Sequence, residues 1–283
     1  MKTFITKFSM IFFLAVLITG VITSCSANDY QCSCNPLDCG AFDIQLQGGI
    51  NPISWRNRGE FDTVNCVGFI NPVVKIFDIP QFHTFFRMPW IVGGQVGYAW
   101  SENTRIYLEC NYSQAHAKNQ IALLTNNPLV VPPQTVIFAI KNYHLYDVYA
   151  GIRYYCNRYN NASLFIGGKV GLTHHHAVNL NTLTITAPEL SPIIVVPSSP
   201  ITRLFKHNNS VSGGFNIGLD YCFCENVSLV ITGEVVASCG PKNNANIALM
   251  PQPAGIISAA NLIIGQIQTE LRFPVTAGIR YSF

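Results

Sequence analysis

Apolar and non-apolar residues alternate over 270–283. Leu271, Phe273, Val275, Ala277, Ile279, Tyr281 and Phe283 share one parity, and Glu270, Arg272, Thr276, Gly278, Arg280 and Ser282 the other. Successive side chains of a strand point to opposite faces. The segment therefore reads as a strand that is apolar along one side and bears charges of both signs on its reverse. Seven earlier segments repeat the scheme. Segment 41–50 sets Phe42, Ile44 and Leu46 against Asp43, Gln45 and Gln47. Segment 88–100 sets Trp90, Val92, Val96, Tyr98 and Trp100 against Gln95 and several glycines, and 105–116 sets Ile106, Leu108, Cys110 and Tyr112 against Arg105, Tyr107, Glu109, Asn111 and Ser113. Segments 144–156, 163–173, 211–223 and 227–238 follow, the last the least regular because Val230 and Val236 fall on its polar parity.

Each run is about 10 to 13 residues long, which suits a tilted strand crossing the hydrocarbon layer better than a strand of a soluble sheet. Short turns at 101–104, 157–162 and 224–226 alternate with long connections at 51–87, 117–143, 174–210 and 239–269. The pattern predicts an all-β fold: an eight-stranded antiparallel transmembrane β-barrel with short periplasmic turns, four long extracellular loops and both chain ends on the periplasmic side. On the polar parity, Glu109, Asp147, Asp220, Glu234 and Glu270 then face Arg105, Arg153, Lys169, Arg272 and Arg280 across the lumen. Eight strands leave room for side chains and little else. Two readings stand, a salt-bridged plug and a narrow conducting pore.

Composition agrees with lipid contact. The chain is 49% hydrophobic and 11% charged, where ordinary domains carry roughly 25% charged residues. Residues 1–27 read as a signal peptide, with Lys2 and Lys7 ahead of an apolar stretch at 11–22 and small residues at 23–27. Two cleavage readings fit: a cut after Ala27, or a lipobox ending on Cys25. Residues 28–40 form a cysteine-rich periplasmic segment and 41–283 the barrel. A net charge of +3 gives no footprint for nucleic acid.

These residues resemble small bacterial outer-membrane β-barrel proteins of the OmpA-type and opacity-like surface antigens. The resemblance covers about 41–283 and rests on the strand pattern, the Val92-Gly93-Gly94-Gln95-Val96-Gly97-Tyr98 hairpin with Tyr107-Leu108-Glu109, and the terminal Tyr281-Ser282-Phe283. It implies that Tyr281 and Phe283 form the signal read by the barrel-assembly machinery. No periplasmic peptidoglycan-binding domain follows, so that activity of longer members is not implied.

Ten cysteines point to an oxidising compartment. Cys32, Cys34, Cys39, Cys156, Cys222 and Cys224 fall at the periplasmic end and are candidates for disulfides there. Cys66 and Cys239 lie in the first and last long loops, which become neighbours when strands one and eight pair, and are candidates for an extracellular disulfide. Cutting after Ala27 leaves an odd number, so at least one thiol is free or pairs between chains. Cys110 has lipid-facing parity. This cysteine usage resembles the cross-linked envelopes of chlamydia-like bacteria, which implies disulfide-linked envelope neighbours or, alternatively, staples within one chain.

Little else points to chemistry. His174-His175-His176 sits above strand five, where only His174 and His176 share a face, and no cysteine or carboxylate lies near in sequence to complete a metal site. The expectation is a solvated rim with no metal and no cofactor. Ser113, His116 and His144 stand at similar heights without a third group set by spacing, so no enzyme is expected. The long connections hold apolar, proline-rich runs at 129–133, 192–197 and 247–264; they fit a packed β-rich cap or a site for a host or surface ligand. The expected function is structural and surface-exposed: envelope integrity and surface contact or adhesion through the loops, in the bacterial outer membrane among its lipids. The alternative is a narrow porin or hydrophobic-solute channel, with a lipid-modifying barrel enzyme behind it.

Overall fold

The computed structural model describes residues 39–57, 81–118, 121–124, 135–159, 161–186, 202–224, 226–242 and 267–283, with short strands at 64–65, 73–74, 193–195, 247–249 and 260–262. The signal peptide and Cys32, Cys34 and Cys66 lie outside the described residues. Eight strands close on themselves: β1 (Phe42–Ile50), β2 (Trp90–Ser101), β3 (Thr104–Ala115), β4 (Tyr143–Tyr159), β5 (Ala162–His175), β6 (Asn208–Cys224), β7 (Val227–Cys239) and β8 (Val275–Ser282). Each pairs antiparallel with its sequence neighbour, and β8 returns to β1 in a register running from Asp43 opposite Ser282 to Ile50 opposite Val275.

The alternation explains the closure. Phe215, Ile217, Leu108 and Leu46 point outward and stay exposed, while Arg105, Arg153, Glu270 and Arg280 point inward and are fully buried. A water-soluble fold places these residue types the other way round. Outward aromatics gather in two girdles. Phe42, Tyr98, Trp100, Tyr154, Tyr221, Phe223, Tyr281 and Phe283 ring the short-turn end, and Trp90, Tyr112 and Tyr146 line part of the opposite end. Between Trp90 and Trp100 lie roughly ten residues of tilted strand, about 25 Å of height. That matches the apolar band of an outer-membrane barrel.

The inward glycines make room for large neighbours. A Cβ at Gly151 would stand 2.4 Å from the Tyr107 ring, and one at Gly218 2.3 Å from the Phe165 ring. Each aromatic lies directly opposite its glycine in the ladder, covering backbone that a side chain would otherwise occupy. Val230 and Val236, irregular in the sequence pattern, are buried inside; Val230 packs with Ala99, Tyr155 and Phe165 at one level of the lumen.

Beside each short turn the ladder carries a bulge, which leaves Trp100, Cys156 and Phe223 as the extra residues. One further feature departs from the sequence expectation. The last strand is broken at Phe273-Pro274: the upper piece, Ile267–Arg272, pairs with Ile53–Asn57, which extends the first strand past Asn51-Pro52. Neither proline has an N–H to give, so the ladder is interrupted, and the Pro52 and Pro274 carbonyls accept instead from Phe273 N–H and Glu234 N–H at 2.9 Å. The long connections carry the β-rich structure that was one reading of their apolar runs. Ile121–Leu124, Thr135–Ile140, Val178–Thr186, Ile193–Val195 and Thr202–Phe205 form a five-stranded sheet beyond the long-loop end, a β-rich extension of the barrel wall. The run 129–133 lies outside the described residues.

Candidate functional site in the lumen and at the long-loop rim

All ten lumen charges expected from the sequence are buried inside the barrel, together with Asp43. They pair in tiers. At the short-turn end Arg105 engages Asp43 with both Nε, at 2.7 Å, and Nη2, and Arg280 contacts Asp220 at 2.6 Å while donating to Tyr155 at 2.8 Å. At mid-height Lys169 bridges Glu109 at 2.8 Å and Glu234 at 2.5 Å; Gln95 and Asn111 also donate to Glu109. Higher up, Arg272 binds Asp147 at 2.7 Å and donates to Tyr149 and Thr173, with Glu270 3.6 Å away. These ion pairs join strands that are not neighbours: β1 with β3, β3 with β5, β5 with β7, β6 with β8, and the upper piece of the last strand with β4. The charges therefore brace the barrel across its interior.

Arg153 is the exception. Among the described residues no carboxylate reaches it; its guanidinium lies 4.7 Å from the Tyr107 ring centre and 4.6 Å from that of Phe165, with one long bond to Gln45. Aromatic faces take the place of a counter-ion.

An aromatic cap closes the lumen above the upper tier. Trp55 lies at its centre, with ring centres 4.9 Å from Phe82, 5.5 Å from Phe205, 6.0 Å from Tyr143 and 6.1 Å from Phe86. The single helical turn Phe82–Phe85 delivers Phe82 and Phe85 into it. The indole N–H of Trp55 donates to Glu270 at 2.9 Å, and the Tyr143 hydroxyl donates to the same oxygen at 2.8 Å. Sequence reading assigned 51–87 to a loop; Phe82, Phe85 and Phe86 within one five-residue stretch were the available signal.

Cys39, Cys156 and Cys239 are free, exposed thiols, and the other candidates Cys32, Cys34 and Cys66 lie outside the described residues. Cys156 has the outward parity of Ile152 and Tyr154 on β4, and Cys239 has the outward parity on β7, opposite to buried Ser238. Cys222 and Cys224, expected at the periplasmic end, are disulfide-bonded.

At the long-loop rim the structure assembles what sequence spacing did not. His174 and His176 are joined by His207, and one ring nitrogen from each lies within 4.8 Å of the others. His207 enters from the segment ahead of β6, 31 positions beyond His176, and so escaped a local search. His175 faces the opposite way and meets the Tyr143 hydroxyl at 2.7 Å. Partial burial and the neighbouring imidazoles of His207 and His174 hold the His176 pKa below its ordinary value. Ser113 and His144 do not combine into a catalytic group: Ser113 points into the lumen and bonds Asn51, while His144 is bonded to Tyr112.

An apolar outer belt with aromatic girdles, wrapped round a buried ionic lumen in a closed antiparallel sheet, defines a membrane-spanning β-barrel of the outer-membrane type. No protein-family model matches the chain, and no curated protein matches its sequence. Among solved structures it is similar to neisserial surface protein A, at 13% identity and TM-score 0.40, over 86% of this chain and 99% of that one. It is also similar to Ail, the attachment invasion locus protein of Yersinia pestis, at 11% identity and TM-score 0.35, over 87% and 100%, and to the outer membrane protein OprG of Pseudomonas aeruginosa, at 11% and 0.37, over 89% and 99%. Nothing about activity follows from likenesses of this grade.

Proposed function

We propose that this barrel is a closed structural protein of a bacterial outer membrane, contributing to envelope integrity and making surface contact or adhesion through its extracellular sheet and loops. The observation that carries the reading is the filling of the lumen: three tiers of ion pairs, each spanning the interior, under an aromatic cap. Tyr281 and Phe283, exposed at the lipid face, are available to the assembly machinery. Reconstituted into planar bilayers, the protein is expected to show no conductance above that of the lipid. Reproducible unitary steps would replace this reading with a narrow porin.

The same reading extends to neighbouring molecules. Cys39 and Cys156 present free thiols at the periplasmic end, which supports disulfide links to envelope partners. Non-reducing electrophoresis of intact cells is then expected to show a ladder that collapses in reductant and is lost in the Cys39→Ser, Cys156→Ser double variant. Monomer alone would remove the cross-linking role and leave the closed-barrel role standing.

A further inference from the structure

We propose that His174, His176 and His207 form a site for one divalent transition-metal ion of the zinc, copper or nickel kind, on the outer face of the barrel where the wall passes into the extracellular sheet. Three imidazole nitrogens within 4.8 Å of one another approach the donor set of a three-histidine centre with one open position. A tetrahedral ion with bonds of about 2.1 Å holds its nitrogens roughly 3.4 Å apart. His176 and His207 are exposed, so side-chain rotation can close that difference without moving backbone. No carboxylate joins the set among the described residues. An all-nitrogen site selects borderline metals and rejects calcium and magnesium, which require oxygen.

The surroundings prepare one of the rings. His174 Nδ1 lies 2.5 Å from Asn209 Oδ1. With the imidazole N–H donating to that amide oxygen, Nε2 is left as the ligand and the ring is oriented from behind, as second partners do in metal sites. Asn209 is the ladder partner of His174, so the support belongs to the barrel wall itself. His207 Nδ1 accepts a long bond, 3.3 Å, from Ala177 N–H; coordination through Nε2 exchanges that weak bond for a metal bond. His144 stands beside the set, its ring centre 6.0 Å from that of His176.

The position gives the ion a task. Three adjacent strands all break here, at 141–142, 176–177 and 206–207, before the wall continues as the outer sheet. An ion held by His174 at the end of β5, by His176 in the break that follows it and by His207 in the break ahead of β6 clamps the seam at which barrel and extension meet.

The test uses the tag-free full chain, processed and folded in lipid or detergent, titrated with zinc chloride against a chromophoric chelator. One ion per barrel with micromolar affinity is expected. His176→Ala and His207→Ala should each weaken binding by at least about tenfold, and so should Asn209→Ala through loss of ring orientation. His83→Ala, an exposed histidine outside the cluster, should change nothing, and calcium or magnesium should not compete. Heat-dependent gel migration verifies that each variant is folded. Absence of saturable binding up to about 1 mM zinc, or binding indifferent to His176→Ala and His207→Ala in folded protein, would overturn the site.

Discussion

Lys169→Met is expected to destabilise the folded barrel by about 3–5 kcal/mol in a urea titration in lipid vesicles followed by gel migration. Lys169 is the cation shared by Glu109 and Glu234, and all three side chains are almost completely buried. Removing it leaves two carboxylates inside the barrel without their counter-ion. Glu109 keeps its bonds from Gln95 and Asn111. Glu234 has the larger deficit, because Lys169 is the partner of its carboxylate. Adding Glu234→Gln to Lys169→Met should therefore recover a substantial part of the loss, and the double-mutant cycle isolates the coupling. The size of the effect also reports on water in the lumen. Ion pairs in a wet channel are screened and contribute about 0–1 kcal/mol, so a loss below about 1 kcal/mol would contradict a dry, plugged interior.

Trp55→Ala is expected to open the long-loop end while leaving the ionic tiers closed. The substitution removes the ring at the centre of the aromatic cap and the indole N–H bound to Glu270. Truncating a buried tryptophan costs about 3–5 kcal/mol. Much of that cost should fall on the helical turn Phe82–Phe85, both of whose rings contact Trp55. If 3 kcal/mol or more goes into local opening, chymotrypsin added to sealed vesicles should cut at Phe82, Phe85 or Phe86 more than about a hundredfold faster. Conductance should stay at background, because Arg272, Lys169 and Arg280 still hold their partners below the cap. Unitary steps in Trp55→Ala would show that the cap, and not the ionic network, is what seals the barrel.

The period-2 pattern carried most of the architecture. Strand number, direction, the lipid face and the inward charges were legible because each depends on one local rule, alternation across a wall with lipid on one side and a narrow polar interior on the other. Interruptions were less legible. Pro274 falls on the polar parity without breaking the pattern of its neighbours, and only the facing break at Asn51-Pro52 shows why the ladder stops there. The connection 51–87 contributed nothing period-2 except around Trp55, so the cap was missed. Cys39, Cys156, Cys222 and Cys224 do lie at the short-turn end, as their places before the first strand and at the ends of the fourth and sixth predicted.

By itself the sequence determined that this chain is a barrel turned inside out relative to a soluble protein, since no other closed arrangement satisfies every strand's two faces in lipid. It also determined which charges are enclosed. Which charges meet was decided only by tertiary structure: the pairs join strands two or more places apart, and the stagger and tilt of the closed sheet set which side chains stand at one height. The same closure brought Trp55 over Glu270, 215 positions along the chain, while the β5–β6 register set His207 beside His174 and His176. Contacts across a lumen or a rim depend on how the wall closes, and no spacing along the chain encodes that closure locally.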